Sequence, residues 1–146
     1  MLKHRIIPVL LFRDQLLVKG EGFDGWRTLG TVLPAVKVFN RRDVDEMVLL
    51  DIGATERGVG PDEAGIRELA RECRVPLAVG GGIREVEDAR RILRSGADKV
   101  VVNSAAYADP ELVTRIARIF GSQAVTVAID IRPDGQGDWA CYRHNG

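Results

Sequence analysis

The chain has 146 residues, 45% of them hydrophobic, with 21 basic and 21 acidic side chains that cancel to a formal net charge of zero. This length and apolar content suit one ordinary domain with its own core, and the balanced charge argues against a nucleic-acid binder. Two cysteines, Cys73 and Cys141, are too few and too far apart for a disulfide framework or a metal-ligand cluster, and no apolar run approaches a membrane span.

The opening MLKHRIIPVLLF places basic residues before an apolar run, as a signal peptide does. Pro8 splits that run, Arg13 and Asp14 end it, and no small-residue cleavage site follows, so a soluble cytoplasmic protein is expected. Ile6–Phe12 is continuously apolar and predicts a strand buried on both faces of a parallel sheet. Gln15–Lys19 predicts a short strand returning from a turn at Arg13–Asp14. Gly20, Gly22 and Gly25 predict a flexible loop holding Phe23 and Trp26. A helix is predicted over Thr31–Asn40, capped by Thr31 with Pro34 in its first turn. Glu46–Asp51 reads as the next strand, Gly53–Gly60 as a polar loop, and Pro61–Arg74 as a helix with Ile66, Leu69, Ala70 and Cys73 on one face.

The stretch Val75–Ser104 carries the clearest pattern. A short apolar run, Leu77–Val79, breaks into Gly80, Gly81 and Gly82; a helical pattern over Glu85–Ser95 ends at Gly96; and a second apolar run, Lys99–Val102, ends in Asn103–Ser104. Strand, glycine turn, helix and strand in that order form a βαβ unit, whose crossover is right-handed. The three glycines either let backbone N–H groups approach a phosphate at a helix start or merely form a tight turn; spacing leaves both open. Asp109 and Pro110 open another predicted helix, through Phe120, with Gly121 ending it. Ala124–Asp130 reads as a fifth buried strand. The tail has a Pro133-Asp134-Gly135 turn, a β-like run Trp139–Tyr142, and Asn145–Gly146, a pair favoured in hairpin turns.

Strands therefore alternate with helices, and Asp51, Asn103, Ser104 and Asp130 all stand where strands end. In a (β/α)8 barrel those ends form the active-site face, and in an open doubly wound sheet they border the switch point. The missing nucleotide fingerprint after the first strand weakens the second option. One such aspartate alone is as readily a helix cap or a loop hydrogen bond; recurrence on separate strands is harder to dismiss.

MLKHRIIPVLLFRDQLLVKG, LLDIGAT, VGGGIREVEDARRILRSGADKVVVNS, ADPEL and VAID together resemble the HisF family, the cyclase subunit of imidazole glycerol phosphate synthase. The resemblance runs in order over nearly the whole chain. It implies an α/β fold, a (β/α)8 TIM barrel normally of about 250 residues, with residues 1–146 as roughly its amino-terminal half, first strand to fifth. It also implies a glutaminase (HisH-like) partner whose ammonia enters at the strand starts and crosses the barrel interior. Arg5, Glu46 and Lys99 match the charged ring that guards that entry. Lys19, Gly82, Asn103 and Ser104 match positions that line the substrate and one of its phosphates, and Asp51 matches a substrate-contacting position. Asp130 matches one of two catalytic aspartates. No metal or other cofactor is implied, and the expected ligand is a phosphorylated or nucleotide-linked small molecule.

The other catalytic aspartate of the family falls at Leu11 in this chain. Leucine cannot move a proton, and loss of a positioned acid or base costs about 10²–10⁴-fold in rate. Leu11, VGGGI and AVKVFNRRDVDEMVLLDI resemble a HisF-like branch associated with bacterial surface polysaccharides, in which ammonia amidates an acetamido sugar. Competing readings are a true cyclase that tolerates Leu11, the related isomerase of histidine synthesis, which also wants an acid near Leu11, and a half-barrel scaffold without chemistry. Five strands with no sixth leave an open edge through which such a piece would form a homo-oligomer or join a longer chain. His4 and His144 have no evident partner in the sequence and read as surface residues.

Overall fold

In the computed structural model, which describes residues 4–21 and 24–142, five parallel strands follow one another across the sheet in chain order. They are β1 (Val9–Arg13), β4 (Met47–Asp51), β5 (Leu77–Gly80), β6 (Lys99–Val102) and β7 (Val125–Val127). Two antiparallel strands, β2 (Leu16–Glu21) and β3 (Asp24–Thr31), extend the sheet beyond β1, giving the order β3-β2-β1-β4-β5-β6-β7. A separate hairpin, β8 (Asp130–Pro133) with β9 (Trp139–Tyr142), follows β7. The main helices are α1 (Val32–Arg41), α2 (Glu63–Glu72), α3 (Val86–Arg94) and α5 (Glu111–Phe120); α4 (Ser104–Ala108) is a short turn of helix after β6.

The helices all lie on one face of the sheet. Leu10, Leu49, Val79 and Val100 are register partners across β1, β4, β5 and β6, and each is buried in a core shared with Val36, Ile66, Ile92, Leu112 and Ile116. Side chains alternate along a strand, so the opposite face carries Val9 and Leu11, Val48 and Leu50, Ala78 and Gly80, Lys99 and Val101. That face is only partly covered: Val9 is 53% exposed. One covered face, a parallel-strand order, β1-β4-β5-β6-β7, that never reverses, and helices touching in the sequence α1, α2, α3, α5 are the arrangement of a (β/α)8 barrel. A doubly wound sheet has helices on both faces and a reversal of strand order.

The β5–α3–β6 unit follows the predicted pattern within a residue or two. Helix α3 starts with a capping box: Asp88 accepts from the Glu85 backbone at 3.1 Å while the Glu85 side chain accepts from the helix's third residue. Gly96 ends the unit with φ +110. Four expectations are corrected. The first strand is buried on one face only: Leu10 packs under the helices, while among the described residues no second layer covers Val9 on the other face. The glycine loop around Trp26 is the strand β3, paired with β2 through two register shifts near its glycines, with Gly25 at φ +61. Thr31 precedes α1 without any side-chain cap bond. Ala124–Asp130 is not one strand: the last parallel rung is the Ala128 N–H to the Val102 carbonyl at 2.9 Å, after which Asp130 pairs with Tyr142 in the hairpin. Phe23 and the Asn145–Gly146 turn lie outside the described residues.

Candidate functional site

The strand starts gather a buried ion cluster. Glu46 directly precedes β4 and points to the same face as Val48, two residues on; it is 6% exposed. Its carboxylate receives the Lys99 ammonium at 2.7 Å and faces the Arg5 guanidinium at 3.8 Å. Lys99 is 28% exposed and Arg5 64%, so the charge is neutralised on one side from the interior and on the other from the rim. A buried carboxylate needs such partners, because taking its charge out of water is costly unless it is paired. The three residues matched to the ammonia entry therefore meet in one place.

Above this cluster the interior face is apolar. Register places Leu11, Leu50, Gly80, Val101 and Thr126 at one level across β1, β4, β5, β6 and β7. A Cβ on Gly80 would meet the Leu50 Cδ2 and the Val101 Cβ, both at 2.9 Å, so these two side chains close over the glycine. Position 11 lies on the same face as Glu46, Lys99 and Asn103, and an acid there would point into the interior. Leucine leaves β1 without an ionisable group at that level, where Leu11 and Leu50 are half-buried and Thr126 is exposed.

At the strand ends, about 13 Å from Lys99 for four residues of strand, the Asn103 side-chain amide donates to Asp130 Oδ2 at 2.9 Å. The Ser104 hydroxyl donates to Asn103 Oδ1 at 3.4 Å. Asp130 thus reaches the rim from the first residue of β8, held by β6 rather than by a continuing fifth strand. Tyr107 on α4 stands nearby; burial pushes its phenol above the ordinary tyrosine range, aided by the Cys141 thiol and the Asp130 charge.

Other predicted residues are placed apart. Asp51 ends β4 on the helix side of the sheet: its Oδ1 accepts from the N–H groups of Gly53 at 2.9 Å and Ala54 at 3.1 Å, and both carboxylate oxygens bind Arg57 Nη2. Gly82 has φ +68, and a Cβ there would lie 2.5 Å from the Val59 carbonyl, while Gly81 at φ +116 presses on the Asp51 carbonyl. Packing of the β5–α3 turn against the β4–α2 loop accounts for these two glycines without any ligand. Lys19 stands exposed on the β2–β3 hairpin, opposite Arg27 in the register, in a shallow polar hollow with Glu21 and Gly25. A separate cavity of about 250 Å³ lies between α1, α2 and the sheet; its walls include Val32, Leu49, Ile66 and Val79, and the carboxylates of Asp51, Asp62 and Glu68 on its lining oppose a phosphate.

Arg57 and Arg27 were missed by sequence reasoning. Arg57 lies in an irregular loop whose partners are set by the hairpin, and no spacing announces it. Arg27 lies in a segment read as loop, so its pairing with Lys19 was hidden. Among the described residues no group of three His, Cys, Asp or Glu side chains could hold a metal ion, and no helix is long and apolar enough to cross a membrane.

A family model described as histidine biosynthesis protein matches residues 5–145. The chain is 46% identical to the imidazole glycerol phosphate synthase subunit HisF of Pelodictyon phaeoclathratiforme (strain DSM 5477 / BU-1), over all of this chain and 58% of that protein. It is 43% identical to the same subunit of Dictyoglomus thermophilum (strain ATCC 35947 / DSM 3960 / H-6-12), with the same coverage. It is also 43% identical to a protein provisionally named imidazole glycerol phosphate synthase subunit hisF3 in Vibrio vulnificus (strain YJ016), over all of this chain and 56% of that protein. The chain spans a little over half the length of these curated relatives.

Proposed function

The chain belongs to the histidine biosynthesis protein family, and from that premise we propose that residues 1–146 form the amino-terminal half-barrel of an imidazole glycerol phosphate synthase-like subunit fed with ammonia by a glutaminase partner. The observation that carries this reading is the buried Glu46, paired with Lys99 and Arg5 at the strand starts, directly below an apolar interior. Ammonia is small and neutral. An ion cluster excludes water and hydrated cations at the entry, and an apolar belt above it gives ammonium no place to stay charged.

At the other end, Asp130 is the group that takes a proton as the ammonia nitrogen bonds to an acceptor carbon, and Asn103 orients its carboxylate for that step. Lys19 on the hairpin and Ser104 beside Asn103 are the side chains of this reading that would meet a phosphate, while the Gly82 turn, already explained by packing, supplies only backbone at the rim. Asp51 contributes through the loop it organises. The setting is cytoplasmic, and the substrate is phosphorylated or nucleotide-linked.

Leu11 decides between acceptors. Closing an imidazole ring with two acid–base groups requires the second one at the level where Leu11 stands. Converting an acetamido sugar to its acetamidino form for a surface polysaccharide keeps the ammonia route: the C–N bond that forms is balanced by loss of the carbonyl oxygen, as phosphate after activation by a nucleoside triphosphate co-substrate, and no ring is closed at the level of Leu11. We therefore assign the chain to the diverted branch. The full-length protein given ammonium chloride and the phosphoribulosyl formimino substrate is expected to turn over poorly, about 10²-fold or more below a HisF that has both aspartates. Comparable turnover would return it to histidine biosynthesis, the reading favoured by its 46% identity to a HisF subunit.

A further inference from the structure

We propose that Arg57 is a positioning residue that locks the Lys19-bearing hairpin to the end of β4 and so fixes Asp51 and Lys19 relative to one another. The proposal rests on the functional reading above for its consequence, though not for its geometry. Three consecutive residues of the β1–β2 turn are tied to three points of the β4–α2 loop. Arg13 Nη2 meets Glu56 Oε2 at 2.9 Å, Asp14 Oδ1 meets Arg57 Nη1 at 3.1 Å, and Gln15 Nε2 donates to Asp62 Oδ2 at 3.5 Å. The middle tie goes further. Arg57 Nη2 also reaches both oxygens of Asp51, at 3.2 and 3.1 Å, so one guanidinium spans the turn and the strand end.

Two more observations bear on this arrangement. Asp14 and Gln15 are the central residues of the two-residue hairpin turn that pairs Arg13 with Leu16, and both take the left-handed backbone, φ +51 and +62, that such a turn requires, so the ties act on a sharply defined turn. Gly53 lies under the guanidinium: a Cβ there would collide with Arg57 Nη1 and approach the Arg13 Cγ at 2.9 Å. An exposed ion pair alone contributes little, and Asp14 is 68% exposed. The pairing with Asp51, 17% exposed and already accepting two backbone N–H groups, is the part that holds.

A planar guanidinium can bridge two carboxylates, whereas an ammonium is a point charge. Removing the bridge frees the hairpin root while leaving the parallel strands intact. The test is amide hydrogen exchange on the full-length protein. Arg57→Gln is expected to speed exchange in Leu16–Glu21 and Asp24–Thr31 about tenfold, leaving β4 to β6 unchanged. Arg57→Lys should fall between, and Glu56→Gln, which removes the charged partner of Arg13, should change the hairpin less than about threefold. In ammonia-driven turnover, Arg57→Gln should raise KM more than it lowers kcat. Unchanged hairpin exchange in Arg57→Gln, or equal acceleration in every strand, would overturn the proposal. Failure of the functional reading would appear as absent ammonia-driven turnover of an acetamido-sugar acceptor by the parent protein, with the exchange pattern still holding.

Discussion

The two ends of the barrel interior are built on opposite terms. At the strand starts every charge on the interior face is answered: Glu46 is buried and receives Lys99 and Arg5. At the strand ends of the described residues the interior face carries one acid, Asp130, held by the Asn103 amide, above the level where Leu11 stands. At the lower end only Glu46 is buried, with Lys99 28% and Arg5 64% exposed, so the cluster offsets the desolvation of one carboxylate. On the proposed reading the upper end lacks the second of two acids, and the difference means that delivery of ammonia and use of ammonia are separable in this fold.

Four changes should break or sharpen that contrast, beginning with the largest. Asp130→Asn keeps the shape and the contact with Asn103 but removes the acid; turnover should fall about 10²–10⁴-fold with the melting midpoint nearly unchanged. Rates within threefold of the parent would remove Asp130 from the mechanism. Gly81→Ala acts at the strand ends through structure, because φ +116 and the Asp51 carbonyl oppose a side chain. It should cost about 3 kcal/mol in urea unfolding.

Lys99→Met acts at the other end. It strips the 2.7 Å partner from buried Glu46 and should cost about 2 kcal/mol, less than a fully buried pair because Arg5 and solvent remain. With a glutaminase partner it should also lower the ratio of glutamine-driven to ammonia-driven product, whereas Asp130→Asn should depress both equally. The smallest effect lies outside the contrast and calibrates it. The Arg115 guanidinium beside Asp109 holds that carboxyl below the ordinary range. Its contribution is present above the unfolded carboxylate pKa and is lost as pH falls through the lower folded value. An acid titration of Asp109→Asn should therefore show a slightly flatter loss of stability than the parent's.

Much of the fold was legible because local signals agreed with one another. Around α3 the helical period, the Glu85–Asp88 cap and Gly96 all mark the same boundaries, and the structure follows them. The break after Val127 was not legible, since no glycine, proline or other turn residue interrupts Val125–Asp130; it depends on which strand Asp130 pairs with. Segment β3 was hidden because its glycines read as flexibility, whereas they sit beside register shifts between paired strands. The site divided in the same way. Strand-end positions announced Asn103 and Asp130. The grouping of Arg5, Glu46 and Lys99 came through resemblance, because the residues stand 41 and 53 positions apart and no pattern links them. Asp51 was placed at a strand end correctly, but its side of the sheet follows from the register, and Arg57 follows only from the folded loop.

The central claim is that the ammonia route is retained while the second acid is gone, and restoring that acid tests it most directly. The measurement is the rate of ammonium-driven cyclisation of the phosphoribulosyl formimino substrate by the full-length protein, with and without Leu11→Asp. The account predicts little activity in the parent and a gain of about 10²-fold in the variant. High parental activity, unchanged or lowered by Leu11→Asp, would contradict it.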